Sequence, residues 1–352
     1  MKAMAVEARP PDSLGSTALV RVAAFTLAAF EARKIPLPTG NRLVQAVELI
    51  RDSHERRIDL ANSAAAARVA AAIRDVWDFC VIVHALPSTR DADREGKVRV
   101  MLRGRVGAEK GSTKPRDFQF ELLVGAIIAQ GEIHTWSAEP DLRVELDGQT
   151  LGIPVKRVQS GTRLAPNITA ARAQLERQHL RGVIVVDVDA FLDGVPPCAA
   201  PAEAGPRILA SMERLRRLLP DLATHPSLLG LVAMGRIVGW DFAGTMPRLC
   251  NHWFNYPSSF VDPGATEGVG DELARRLRIA DERMRALLLR AAAETQEDER
   301  RGMAAARARS GVGSRSTARL FLRHRGAGMR RAAPASQGLS RARACTRPEP
   351  CP

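Results

Sequence analysis

The dipeptide Asp147-Gly148 constrains this chain more tightly than any other feature of its sequence. It separates two short runs of alternating apolar residues, and it readily takes the positive φ angles of a two-residue type I′ turn. A hairpin closed there has its register set by counting outward from the turn. Leu146 then faces Gln149, Val144 faces Leu151 and Asp141 faces Pro154. Side chains alternate along a strand, so Pro154 and Lys156 share a face with Asp141. The turn therefore predicts that Asp141 and Lys156 lie close together.

The neighbourhood of this hairpin reads as an α/β unit. Before it, Phe120, Leu123, Val124, Ile127 and Ile128 repeat at the spacing of a buried helical stripe, with Gly131 placed to stop the helix. The polar run 111–116 leads into that helix, and a short strand fills the gap before Asp141. After the hairpin, residues 167–179 are helical in pattern, and 182–188 (GVIVVDV) form the continuous apolar run of a buried parallel strand. A strand, a helix and a second parallel strand make a right-handed crossover. Residues 207–219 read as a helix, 227–240 as a further strand or hairpin, and 241–265 as loop. Residues 266–300 form a charged C-terminal helix.

Upstream, residues 1–14 are an unstructured lead-in and 15–86 a helical domain with helices at 16–33, 40–57 and 60–84. The run VAAFTLAAF (22–30) continues into an ordinary helical pattern, so it reads as a core helix rather than a signal sequence. Residues 86–96 are a polar linker, and 97–110 fit strand or helix equally. The α/β domain covers 97–262. His54 and His84 stand alone on helices, as surface and core residues. No apolar stretch has the length of a membrane span.

Charge is unevenly placed. The formal net charge is +13, yet from Arg300 onward the chain carries thirteen arginines and one acid, leaving 39 basic and 38 acidic side chains before it. The body is neutral. The tail, 301–352, lacks apolar periodicity and reads as an arginine-rich disordered segment, with a phosphate-gripping arm as the functional alternative. Only six of the 52 basic residues are lysines, and Lys156 is the last of them. The five cysteines are scattered without a Cys-x-x-Cys pair, which points to a reducing cytoplasm and gives no zinc site.

An acid at Glu121, then Pro140-Asp141, then Pro154-Val155-Lys156, in the order helix, strand, hairpin, helix, strand, resembles the PD-(D/E)XK (restriction-endonuclease-like) nuclease superfamily. The resemblance covers residues 117–190, its motifs are short, and Pro154 stands where the family carries its second acid. It implies a mixed sheet flanked by helices and a metal-dependent phosphodiester hydrolase acting on DNA or RNA. It also implies that Asp141, Lys156 and Glu121 are catalytic and that Gln174 and Arg157 contact substrate. The implied metal is Mg²⁺, a hard cation bound by oxygen ligands, which activates water. Asp141 and Glu121 would hold it, with Glu145, on Asp141's face, or Glu139 supplying the acid that Pro154 lacks. The alternative is a nuclease fold that has lost metal catalysis and binds nucleic acid or a protein partner. Taken singly, Asp141 and Lys156 also make an ordinary cross-strand ion pair, and Glu121 a solvated helix flank. Oligomeric state is not set by the sequence.

Overall fold

The computed structural model describes residues 16–60, 62–85, 92–107, 113–158, 160–187, 226–241 and 248–258, with separate positions between 272 and 293. The lead-in, the loop 194–206, the helix expected at 207–219 and the arginine tail lie outside the described residues. The described part is an α/β fold with a mixed sheet. Four helices come first: α1 (Ser16–Ala32), α2 (Arg42–His54), α3 (Ser63–Ala85) and α4 (Ala92–Met101). Helix α5 (Lys114–Gln130) is followed by β1 (His134–Ala138), β2 (Asp141–Leu146), β3 (Gln149–Ile153) and β4 (Val155–Arg157). Helix α6 (Gly161–Arg177) leads to β5 (Gly182–Asp187), β6 (Leu228–Asp241) and β7 (Arg248–Ser258).

The hairpin is the one its turn dictates. Asp147 and Gly148 have φ of 50° and 74°, and the ladder pairs Leu146 with Gln149, Val144 with Leu151 and Leu142 with Ile153. At Pro154 the strand breaks. Pairing to β2 stops at Ile153; the N–H that Pro154 lacks would have faced β5, as the Gly152 N–H does, and past this break the chain resumes as β4 beside β5. Pro154 still contributes its carbonyl, which accepts the Val185 N–H at 2.9 Å.

The sheet order is β1-β2-β3-β5-β6-β7, with β4 also on β5. Strands β3, β4, β5 and β6 run parallel where they pair, while β1, β2 and β7 pair antiparallel. Leu142, Val144, Leu151, Ile153, Val183 and Val185 point into one hydrophobic core together with α1, α2, α3 and α5. The intervening Ile184 and Val186 are buried outside that core, where α6 packs on β4 and β5 through Leu164, Ile168, Ala171 and Leu175. Helices thus cover both faces. The described residues belong to one compact unit, and the core runs without interruption from α1 to β6.

Glycine permits two close approaches. Gly152 and Gly182 meet where β3 first pairs with β5, and a Cβ on Gly182 would overlap the Gly152 carbonyl. At the end of α5, Gly131 has φ of −76° and stops the helix without turning left-handed; the next residue, Glu132, takes φ of 62°. A Cβ on Gly131 would instead strike the Arg276 carbonyl at 2.8 Å.

The structure departs from the sequence reading at four places. Helix α5 starts at Lys114, within the run read as polar, because Pro115 suits the first helical turn. The segment read as linker, then as strand or helix, is α4. Helix α6 starts at Gly161, ahead of position 167, and keeps Pro166 in its first two turns. Residues 248–258, read as loop, form β7, paired along β6 from Leu231 to Asp241. Pairing to a long neighbour overrides the weak local preference of a run containing two asparagines and a proline. No helix among the described residues is long and apolar enough to cross a membrane.

A buried polar network ties α2, α3 and α5 together. Gln119 accepts from Arg42 at 2.5 Å and donates to Asp78 at 2.5 Å and Asp75 at 3.2 Å, while Arg116 bonds Asp75. Arg42 is 1% exposed and Asp75 fully buried. Burial pushes the Asp75 carboxyl up, but Arg42 and Arg116 outweigh it and hold it below its usual 3.8. Burial lowers Arg42 to about 10, so it stays charged near neutrality. Removing one member strands a buried charge. Asp75→Ala is therefore expected to cost about 3–5 kcal/mol in urea unfolding at neutral pH. Because the folded-state pKa of Asp75 is depressed, its stabilisation is complete above the unfolded value and is lost as pH falls through the folded one. The deficit of the variant should accordingly shrink under acid.

Candidate active site at the hairpin break

The site is created by the interruption at Pro154. Asp141 opens β2 with φ of 107°, a left-handed conformation that aspartate tolerates better than most residues. Its Oδ2 accepts the Val155 N–H at 2.8 Å and the Lys156 ammonium, also at 2.8 Å. The carboxylate thus takes the N–H that β2 would have received from a continuing hairpin, and it binds the lysine the register places beside it. Asp141 is 24% and Lys156 19% exposed, so the pair is accessible from solvent.

The other expected residues are placed as follows. Glu121 is buried on α5 and binds the Lys97 ammonium of α4 at 2.7 Å. Glu145 lies on Asp141's side of β2 but is solvated, with His134 across the ladder at 3.9 Å. Glu139 is exposed, and its Oε1 accepts from Gln174 Nε2 at 3.4 Å, so α6 reaches the entry to β2. The Gln174 Oε1 is buried and has no hydrogen-bond partner among the described residues. Arg157 turns to the opposite face of β4 from Lys156, where it bonds Asp187 at 3.2 Å and Asp117 of α5 at 3.3 Å.

A divalent cation needs several oxygen ligands converging on one point. Asp141 Oδ2 is committed to a lysine and a backbone N–H, and Glu121 is neutralised by Lys97. Among the described residues no group of three Asp, Glu, His or Cys side chains stands together as a metal site. The residues present therefore do not fit Mg²⁺. What they offer is an accessible ammonium held in place by a carboxylate, suited to contacting a phosphate oxygen.

Sequence reasoning missed Lys97 and the Arg42–Asp75–Asp78–Gln119–Arg116 network. Asp75 and Asp78 carried a signal, being two acids three apart within an otherwise apolar helical stretch, where charge survives only if paired. Nothing in the sequence marks Lys97 as the partner of Glu121.

Asp141→Asn keeps the Val155 bond and removes the charge that holds Lys156. The expected outcome is a lysine freed to move, with lower order parameters at its side chain by NMR and little change in melting temperature. Asp141→Ala also orphans the Val155 N–H, and should lower stability by a further 1–3 kcal/mol or so. No protein-family model, curated protein or solved structure matches this chain.

Proposed function

We propose that the chain is a PD-(D/E)XK-like module that binds the phosphodiester backbone of nucleic acid without metal-dependent hydrolysis. The observation that carries this reading is the direct 2.8 Å contact between Asp141 and Lys156 beside Pro154, in which the one acid at the motif is neutralised by its own lysine. The surrounding architecture supports it. Helix α5, strand β1, hairpin β2-β3, helix α6 and strand β5 follow in the order expected of a restriction-endonuclease-like core, with helices on both faces of the sheet. Helices α1 to α3 stand ahead of that core as an N-terminal helical part. In this reading Lys156 meets a phosphate oxygen, Asp141 orients it, and the α6 side chain Gln174 borders the same face.

A metal-dependent nuclease is the second reading, and one observation favours it. Both bonds to Asp141 end on Oδ2, which leaves its Oδ1 open to a cation among the described residues.

Calorimetric titration of the full chain with Mg²⁺ and Mn²⁺, beside Asp141→Ala, separates the two. The binding module gives no saturable heat in either protein. Saturable binding that disappears in Asp141→Ala would overturn it in favour of the nuclease.

A further inference from the structure

We infer that the outer face of β1 and β2 seats a single nucleic-acid strand, with Arg143 holding a phosphate beside Lys156 and Trp136 stacking on a base. This rests on the nucleic-acid reading above and names the class of strand that the same site would take. The placement follows from register. Asp141 and Arg143 are two residues apart in β2, so they share the face turned away from the core, about 7 Å apart along the strand. Trp136 stands directly opposite Arg143 in the ladder and His134 opposite Glu145, so both rings of β1 lie on that face too.

The Arg143 guanidinium turns toward the Asp141–Lys156 pair. Its Nε donates at 2.8 Å to the carbonyl of Glu139, two residues before Asp141, and its Nη2 donates at 2.8 Å to Gln178 Oε1 at the end of α6. Both acceptors are neutral. The neighbouring acids have other partners: Asp141 binds Lys156, Glu139 lies 3.9 Å from Arg177, and Glu145 stands 3.9 Å from His134 across the ladder. Among the described residues no carboxylate pairs with Arg143, and its second terminal nitrogen is left for a ligand. A guanidinium fixed in orientation by neutral acceptors is a preformed contact for a phosphate oxygen.

Trp136 supplies the second half of the seat. Strand β1 lies at one end of the sheet order, while α6 packs over β4 and β5. Trp136 is partly exposed and takes no part in the hydrophobic core among the described residues; the His134 ring is 5.1 Å away, tilted by 33°. A large ring held at the surface next to a cation offers a π-face that every base can use. Bases in a duplex already stack on each other, so such a face favours an unpaired strand. An acidic peptide would answer Arg143 but not Trp136.

The test is fluorescence anisotropy on the full chain with two labelled probes of equal length, oligo-thymidine and the same backbone with every base removed. Wild type is expected to bind the thymidine probe about five- to a hundred-fold more tightly, the worth of one stacked base. Trp136→Leu, which keeps an apolar side chain, should lose that preference, and Trp136→Phe should keep most of it. Arg143→Gln should weaken both probes alike and reduce the magnitude of the slope of log K against log salt by about 0.7, the value for one phosphate contact on a single strand. Equal affinity of wild type for the two probes, with binding lost in Lys156→Met, would overturn this seat and leave the module reading standing. An unchanged slope in Arg143→Gln would do the same. No binding of either probe by wild type would overturn the two together. Tighter binding of a labelled duplex than of the thymidine probe would overturn the seat in favour of paired nucleic acid.

Discussion

The bond from the Val155 N–H to the Asp141 carboxylate is the contact on which the candidate site depends. A hairpin strand that meets a proline loses a ladder bond, and an interior sheet tolerates few unpaired donors. Here a side chain replaces the backbone acceptor. The substitution satisfies that donor where the ladder to β2 ends, while pairing to β5 runs on from Gly152 of β3 into β4, and it draws Lys156 to the same carboxylate oxygen. The acid thereby has a structural duty that competes with holding a metal. An aspartate whose Oδ2 is filled by an amide and an ammonium is a poor ligand, and among the described residues it belongs to no group of three metal-binding side chains.

Helix α5 connects this break to the rest of the molecule. Along two turns, Arg116 and Gln119 reach α3 and α2, Asp117 reaches β4, and Glu121 reaches α4. These bonds lie among apolar contacts that supply most of the burial, so their contribution is chiefly to fix which way the helix faces. A purely apolar interface between helices leaves rotation and sliding weakly specified, whereas a buried set of paired charges is satisfied in one arrangement. The helical N-terminal segment and the sheet share one core for the same reason: both pack on α5.

How far the sequence could be read follows from the range of the interactions concerned. The hairpin, its register and the Asp141–Lys156 contact were legible because a two-residue turn fixes everything that follows from it by counting. The apolar stripe from Phe120 to Ile128 was legible because helical spacing is local. Strand β7 was not, since its pattern is unremarkable and only its pairing with β6 makes it a strand. The partner of Glu121 was equally hidden: Lys97 lies in a segment whose local preferences are ambiguous, and the contact exists only once α4 has docked. The face taken by Arg157 could have been derived from alternation, which separates it from Lys156; what could not be derived is that α5 brings Asp117 to meet it.

The grip on the end of α5 has a consequence for synthesis. Arg283 binds the Gln130 carbonyl at 3.0 Å and Glu132 at 2.5 Å, Arg276 reaches the Gly131 carbonyl and Glu132, and Ala280, Met284, Leu288 and Ala291 sit in the same core. These residues emerge from the ribosome long after the helix they close. Until then, the end of α5 and the apolar surface beside it remain uncovered on a nascent chain that already contains most of its strands. Completion of this packing therefore waits for residues 276–291 to be made. A premature stop ahead of residue 276 would leave a protein with an intact hairpin and an exposed core, a species prone to aggregation rather than a smaller working version.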